Sequence, residues 1–213
     1  MRQSRKLQYS LRSAAIIVTL FAFAMAIFGR RLSTARRQSF IVTTLQNAGG
    51  LADYEGGNDD VPADWKVRML GKDFFTGIEG VLVHEWNNNV LPNGPDPLIA
   101  LSSELRTLKR IRIENCKLSD TSLLPLEGHV RLEWLSLSGS NANDEHLTLL
   151  QKMPHIRILD LRETEITDAC LPILVNLRNL ELLLVKKTKV SEEGIRQLND
   201  ALPHCKINDP RFK

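Results

Sequence analysis

The sequence predicts an α/β solenoid, with parallel strands on one face and short helices or 3-10 turns on the other, placed after an N-terminal transmembrane helix. Three observations predict it. From Leu108 onward aliphatic residues recur every 24 positions through four copies without a gap. Within each copy their spacing changes from two, which is a strand with one face inward, to three, which is one side of a short helix. Upstream, residues 13–29 (SAAIIVTLFAFAMAIFG) carry no charge and are bracketed by Arg12 and Arg30.

The uncharged segment spans about 25 Å as a helix, against roughly 30 Å of bilayer hydrocarbon. Snorkelling arginines make up the difference, with Leu11 and Leu32 extending the apolar reach. A cleaved signal peptide is the competing reading, because Ala24-Met25-Ala26 has a small-x-small pattern, although Ile27 and Phe28 beyond it are apolar where a cleavage region turns polar. Basic residues on both flanks leave orientation nearly balanced. The short basic tail, 1–12, is expected in the cytoplasm and the main domain outside.

Charge is divided along the chain. Of 28 basic residues, eight lie in residues 1–37, which hold no acid; the remaining 20 face 25 acids, so 38–213 carries a net charge of −5. An acidic main domain argues against nucleic acid as a partner, since phosphate binding needs a basic face. Three cysteines without CxxC spacing argue against a disulfide scaffold and against a thiolate zinc site.

After the anchor, residues 30–48 read as a basic helix with Leu32, Ala35, Val42 and Leu45 on one side, stopped by Gly49-Gly50. LADYE at 51–55 reads as a short strand, 56–64 as a loop, and Pro62 as the first residue of a helix running to about residue 70. Residues 30–61 are accordingly a juxtamembrane helix and linker, and 62–213 the repeat domain. Whether 38–77 caps the solenoid or merely tethers it stays open.

The regular copies are 108–131, 132–155, 156–179 and 180–203. Strand columns fall at Leu108/Leu132/Ile156/Leu180, Ile111/Leu135/Leu159/Leu183 and Ile113/Leu137/Leu161/Val185, and helix columns at Leu123/Leu147/Leu171/Ile195 and Leu126/Leu150/Leu174/Leu198. Cys116, Ser140, Thr164 and Thr188 follow the strands, suited to bonding turn backbone. Ser119, Asn143, Thr167 and Ser191 recur before an acid (Asp120, Asp144, Asp168, Glu192), the pattern of an N-cap followed by a charge favourable to the helix dipole. Pro125 and Pro172 predict 3-10 or single turns in their segments. An irregular first repeat occupies 75–107: Ile78, Val81 and Val83 form its strand, Leu98 and Leu101 match the helix columns late, and 87–97 is an insertion. Ile207 is in phase with the strand columns and predicts a last edge strand, poorly covered by the charged tail after it.

The pattern LxxLxLxxTxITDxxLxxLxxL, clearest in LDLRETEITDACLPIL (159–174), resembles that of leucine-rich repeats. The N-terminal YSLRSAAIIVTLFAFAMAIFG, the basic helix ending in AGG, Tyr54 soon after, GKDFF before the first repeat and LPHCKI at the end resemble the short membrane-anchored leucine-rich-repeat proteins of planctomycete-type bacteria. The resemblance implies protein binding. Ala142 and Asn143 depart from the expected ITD, and the first repeat carries its insertion.

Catalytic signatures (a phosphate-binding loop, GxSxG, HExxH, GxGxxG) are missing from the sequence, which points away from an enzyme, and no cofactor, metal or small-molecule substrate is indicated. The five histidines lack metal spacing, and His84-Glu85 is a lone pair at a strand end. The chemistry left is on the outward face of the strands. There Trp134, Ile158, Leu182 and Leu184 are expected to form an apolar patch beside Arg110, Arg112, Asp160 and Arg162, which is the composition of a protein-binding surface. The expected role is a non-catalytic, membrane-anchored interaction module with an unknown protein partner. The alternatives are a self-associating envelope scaffold and the substrate-receptor subunit of a separate enzyme.

Overall fold

Alternation at period two sends the strand columns inward, and in the computed structural model every residue of those three columns is at most 2% exposed. The structure describes residues 11–54, 70, 73, 76–84 and 94–208. The expected helix from Pro62, Phe74 and Phe75, Glu85, positions 87–93 of the insertion and the terminal tail lie outside the described residues. The strands are β1 (Leu51–Tyr54), β2 (Ile78–His84), β3 (Arg110–Glu114), β4 (Trp134–Ser136), β5 (Ile158–Asp160), β6 (Leu182–Leu184) and β7 (Lys206–Asn208). They form one sheet in sequence order, parallel from β2 to β7, with β1 antiparallel at the leading edge. This is the fold of a leucine-rich-repeat solenoid.

The anchor segment and the juxtamembrane helix are a single helix, α1 (Leu11–Asn47), which continues through Gly29 without a break. Residues 15–29 of it are exposed and uncharged, and the helix is long and apolar enough to cross a membrane. Its last part is different: Ala35, Ile41, Val42 and Leu45 are buried at the spacing of one helix face, and the last three join the core of the solenoid. Arg37 donates two hydrogen bonds to Glu104 at 2.5 and 2.7 Å. The stop is built as the glycine pair implies. Gly49 takes a φ of +82° and the Gly50 N–H bonds back to the Leu45 carbonyl at 2.8 Å. Ile41, Val42 and Leu45 of α1, with β1 paired to β2, thus cover the leading end of the solenoid.

Three columns explain how the copies lock together. The first is left-handed backbone: Asn115, Gly139, Glu163 and Lys187 sit 24 apart with φ of +53°, +71°, +57° and +60°. Only one is glycine, and at Gly139 a Cβ would collide with the Asn115 side chain. Left-handed backbone costs a non-glycine residue roughly 1–2 kcal/mol. Glu163→Gly is accordingly expected to raise stability by about 0.5 kcal/mol after losing its exposed ion pair with Lys187, and Gly139→Ala to lower it by about 2 kcal/mol, both read by thermal unfolding.

The second column is the acids. All four were expected to serve the dipole of their own helix; Glu192 does lie in the first turn of its helix, but Asp144 and Asp168 reach into the next repeat. Asp144 accepts from the Thr167 N–H at 2.9 Å and its hydroxyl at 2.7 Å, and Asp168 accepts from the Ser191 N–H at 2.8 Å. Asp96 accepts from the hydroxyls of Ser119 and Ser122 in the same way. Thr167 and Ser191 do cap their own helical segments, through Ala169 N–H and Gly194 N–H. Ser119 does not. At the departure from ITD the device changes: the Asn141 amide pairs with both backbone groups of Leu118, at 2.6 and 3.0 Å, and the buried His146 ring meets the Ser119 carbonyl at 3.1 Å. Asn141 and His146 thus replace the carboxylate between the first two regular repeats.

Third, Glu79 in β2 and Lys109, Glu133, Arg157 and Glu181 just before β3 to β6 alternate in sign, with Lys109–Glu79 at 2.5 Å and Arg157 at 3.5 Å from Glu133 and 2.8 Å from Glu181. Exposed pairs of this kind are worth at most about 1 kcal/mol each, so they serve register more than stability.

The convex segments follow the spacing of their buried residues, not proline alone. Leu124–Leu126 and Asp168–Cys170 are 3-10, the latter continuing as a single α turn, α3 (Leu171–Leu174). His146–Lys152 is also 3-10 although it contains no proline. Its buried Leu147, Leu150 and Met153 recur at three, which eclipses on a helix of three residues per turn. In α4 (Glu192–Ala201) the buried Ile195, Leu198 and Leu202 are spaced three and four, which requires the α-helix. In the irregular repeat the helix is α2 (Asp96–Ser102), so 96 and 97 belong to it and not to the insertion. Its column positions are Ile99 and Ser102, both 0% exposed, in place of Leu98 and Leu101. All extra length therefore lies between β2 and α2, since β2 pairs with β3 at an offset of 30 while α2 keeps the offset of 24.

Candidate protein-binding face

Cross-strand register places the outward residues in two rows. One runs Asp53, Gly80, Arg110, Trp134, Ile158, Leu182, Lys206, and the other Leu51, Leu82, Arg112, Ser136, Asp160, Leu184, Asn208. Trp134, Ile158 and Leu182 are consecutive neighbours, and Leu184 lies beside Asp160 in the adjacent row. All four apolar side chains are half-buried, packed along the sheet with one side open. Arg110 and Arg112 are half-buried at the leading end, and Arg162 is exposed just past β5.

Asp160 behaves differently from the expectation for a rim charge. It is 5% exposed and is fully engaged by its own chain: its carboxylate takes two bonds from the Arg162 guanidinium, at 2.6 and 2.8 Å, and a third from the Arg162 N–H at 3.1 Å. A doubly bonded carboxylate–guanidinium pair fixes the side chain's direction. Asp160 is therefore a positioning residue for Arg162, not a free charge of the surface.

Two residues join the site that the repeat pattern did not reveal. Gly80 lacks a side chain where a Cβ would stand 2.8 Å from the Asp53 carboxylate and 3.4 Å from Arg110 Nε. Its absence lets Asp53 and Arg110 close over the sheet. The signal was present as the offset of 30 between Ile78 and Leu108, which aligns Gly80 with Arg110; Asp53 gives no signal, because an antiparallel cap strand stands outside the repeat. Asp53, Gly80, Arg110, Arg112 and Trp134 line a hollow of about 170 Å³. The Arg112 guanidinium lies 5.9 Å from the Trp134 ring centre. Arg110 Nε and Trp134 Nε1 are shielded from solvent, and neither has an acceptor among the described residues. An unsatisfied buried donor costs about 1–3 kcal/mol, so this end of the face is energetically unfinished.

Elsewhere polar groups are consumed by structure. His84 meets the Asn115 amide at 2.8 Å, and His129 meets the Ser103 carbonyl at 2.7 Å. Among the described residues no group of three or more His, Cys, Asp or Glu is placed to hold a metal ion. Cys116, Cys170 and Cys205 are buried, and none forms a disulfide. Burial, then the Asp144 carboxylate, pushes the Cys170 thiol up to about 12, and burial pushes Cys205 to about 11. The thiolate is the reactive form, so alkylation of the native chain at pH 8 is expected to run on the order of a hundredfold slower, or more, than in denaturant. Mass-counted labelling with iodoacetamide checks this, and a native thiol reacting at the unfolded rate contradicts it.

No protein-family model and no curated protein sequence matches the chain. Solved structures similar to it include an internalin from Listeria monocytogenes (TM-score 0.44, 17% identity, 52% of this chain and 30% of that one). A leucine-rich-repeat protein of Leptospira interrogans (TM-score 0.39, 23% identity) shares 51% of this chain and 27% of its own. The leucine-rich-repeat ectodomain of a receptor kinase from Arabidopsis thaliana (TM-score 0.40, 16% identity) is matched over 83% and 90% of the two chains. The chain spans less than a third of the first two.

Proposed function

We propose that this chain is a membrane-anchored, non-catalytic protein–protein interaction module, held by residues 13–29 with its solenoid on the non-cytoplasmic side. In this reading it is one of the short anchored leucine-rich-repeat proteins of planctomycete-type bacteria. The observation that carries the binding role is the register that sets Trp134, Ile158 and Leu182 side by side on an open sheet face, with Leu184 adjoining, Arg110 at the leading end and Arg162 just past β5. Half-buried aromatic and aliphatic anchors with arginine beside them are the composition of interaction hot spots. Arg110, Arg112, Trp134, Ile158, Arg162, Leu182 and Leu184 make the contact, with Asp160 holding Arg162. The anchor supports the same reading. The apolar segment ends at Gly29 and the first buried position, Ala35, follows about 9 Å along α1, which seats the leading end of the solenoid against the bilayer surface.

The test is crosslinking in intact cells and affinity capture, comparing wild type with a Trp134→Asp/Ile158→Asp double variant whose folding is verified by circular dichroism. The proposal expects a protein captured by wild type and lost from the folded variant. Equal capture by both overturns the assignment of the face, and capture of the chain's own copies alone makes it a self-associating scaffold.

A further inference from the structure

We propose that the leading end of the open face is a carboxylate subsite, in which Arg110, Arg112 and the Trp134 indole N–H hold an acidic side chain of a partner polypeptide whose following apolar residues lie along Ile158 and Leu182. The inference rests on the protein-binding reading and narrows its partner chemistry. Three features of the hollow point to it. Two guanidinium groups stand there, and neither is committed to an ion pair among the described residues, whereas Arg162, Arg157 and Arg37 all are. Two N–H donors, Arg110 Nε and Trp134 Nε1, have no acceptor. Charge runs against the rest of the molecule: residues 38–213 are net acidic, while this hollow holds two arginines against Asp53.

The geometry selects the ligand. A planar guanidinium fork matches a carboxylate, and Arg112 already lies near the Trp134 ring, so an incoming carboxylate meets donors from three side chains together. Terminal torsions of arginine and tryptophan are soft, and a small rotation of each turns its shielded N–H into the hollow. The row then continues without charge through Ile158 and Leu182, at about 4.8 Å per strand, which a polypeptide satisfies and a free anion does not. Asp53, across Gly80 from Arg110, opposes an anionic ligand and keeps the empty site from being flooded with positive charge.

The experiment uses the full chain in a zwitterionic detergent and follows the Trp134 indole proton by ¹⁵N-edited NMR, assigned with Trp134→Phe. The probe is a blocked pentapeptide of two glutamates, an alanine and two leucines. Controls are the same peptide with glutamines, and sodium sulfate. A saturable downfield shift with the glutamate peptide, at least tenfold weaker with the glutamine peptide, is expected. Arg110→Gln and Arg112→Gln should each weaken binding about tenfold, and Asp53→Asn should tighten it about threefold. These outward positions leave the core untouched, and an unchanged amide spectrum verifies the fold. No shift, equal shifts with both peptides, or weaker binding in Asp53→Asn overturns the subsite. Sulfate reproducing the shift at equal affinity reduces it to an adventitious ion only and overturns it as well. The Arg110→Gln/Arg112→Gln double variant in the cellular capture separates the two claims: partner retained there with no peptide shift removes the subsite alone, while retention in Trp134→Asp/Ile158→Asp removes the whole face.

Discussion

Leu45→Asp in the full chain is expected to cost at least about 4 kcal/mol and to release the leading end of the solenoid. Leu45 is 0% exposed, its carbonyl receives the Gly50 N–H, and its side chain belongs to the same core as Ile78, Val81 and Ile111. Truncating a buried leucine costs about 2–5 kcal/mol by cavity formation alone, and a carboxylate adds an uncompensated buried charge. The consequence extends beyond one residue, because a solenoid is stabilised by nearest-neighbour interfaces and needs its ends covered. With α1 unseated, β1 loses its support and β2 becomes an exposed edge. Urea unfolding in micelles, with limited proteolysis between α1 and β2, measures the effect. Thr43→Asp, on the exposed side of the same helix, is the comparison and is expected to stay within about 0.5 kcal/mol of wild type. Equal losses in the two variants contradict a capping role.

Asp144→Ala is expected to cost about 2–3 kcal/mol, and Asp120→Ala less than about 0.5 kcal/mol, although both occupy one column of the repeat. Asp144 satisfies the N–H and hydroxyl of Thr167 in the neighbouring copy, and hydrogen bonds to a charged group contribute about 1.5–3 kcal/mol each. Asp120 is exposed, and at that junction Asn141 and His146 make the inter-repeat bonds. A residue serving only its own helix dipole is worth about 0.3–1 kcal/mol at either site. Chemical denaturation of both variants separates the readings: similar small losses restore the dipole role, and a large loss at Asp144 alone establishes the staple. Asn141→Ala is then the variant that behaves like Asp144→Ala.

The strand columns and the parallel sheet were legible because aliphatic periodicity is a direct imprint of burial, and one face of each strand has nowhere else to go. Features that depend on backbone conformation were not. The left-handed column contains one glycine, one asparagine, one glutamate and one lysine, and no residue-type signal marks Glu163 or Lys187 as turn positions. The acid column was visible as a pattern, yet its bonds run to a residue 23 positions later, and periodicity alone says nothing about which neighbour a side chain meets. The first repeat misled by carrying two phases, with Ile78 an extra six residues ahead of Leu108 while Ile99 keeps step with Leu123. On the face itself, outward residues followed from alternation. Burial of Asp160 did not, because its carboxylate takes the Arg162 N–H and guanidinium just past the end of β5, a local turn that strand alternation does not describe. Asp53 was beyond reach of any repeat argument, since β1 runs antiparallel to the array.

The most direct measurement is site-specific photo-crosslinking in intact cells, with a photoreactive amino acid in place of Leu182 on the open face and, separately, of Leu124, which is 54% exposed on the convex side. An adduct with one protein other than this chain from position 182, and none from position 124, is the result predicted for an interaction module that binds through its strands. Adducts from 124 with none from 182 contradict it.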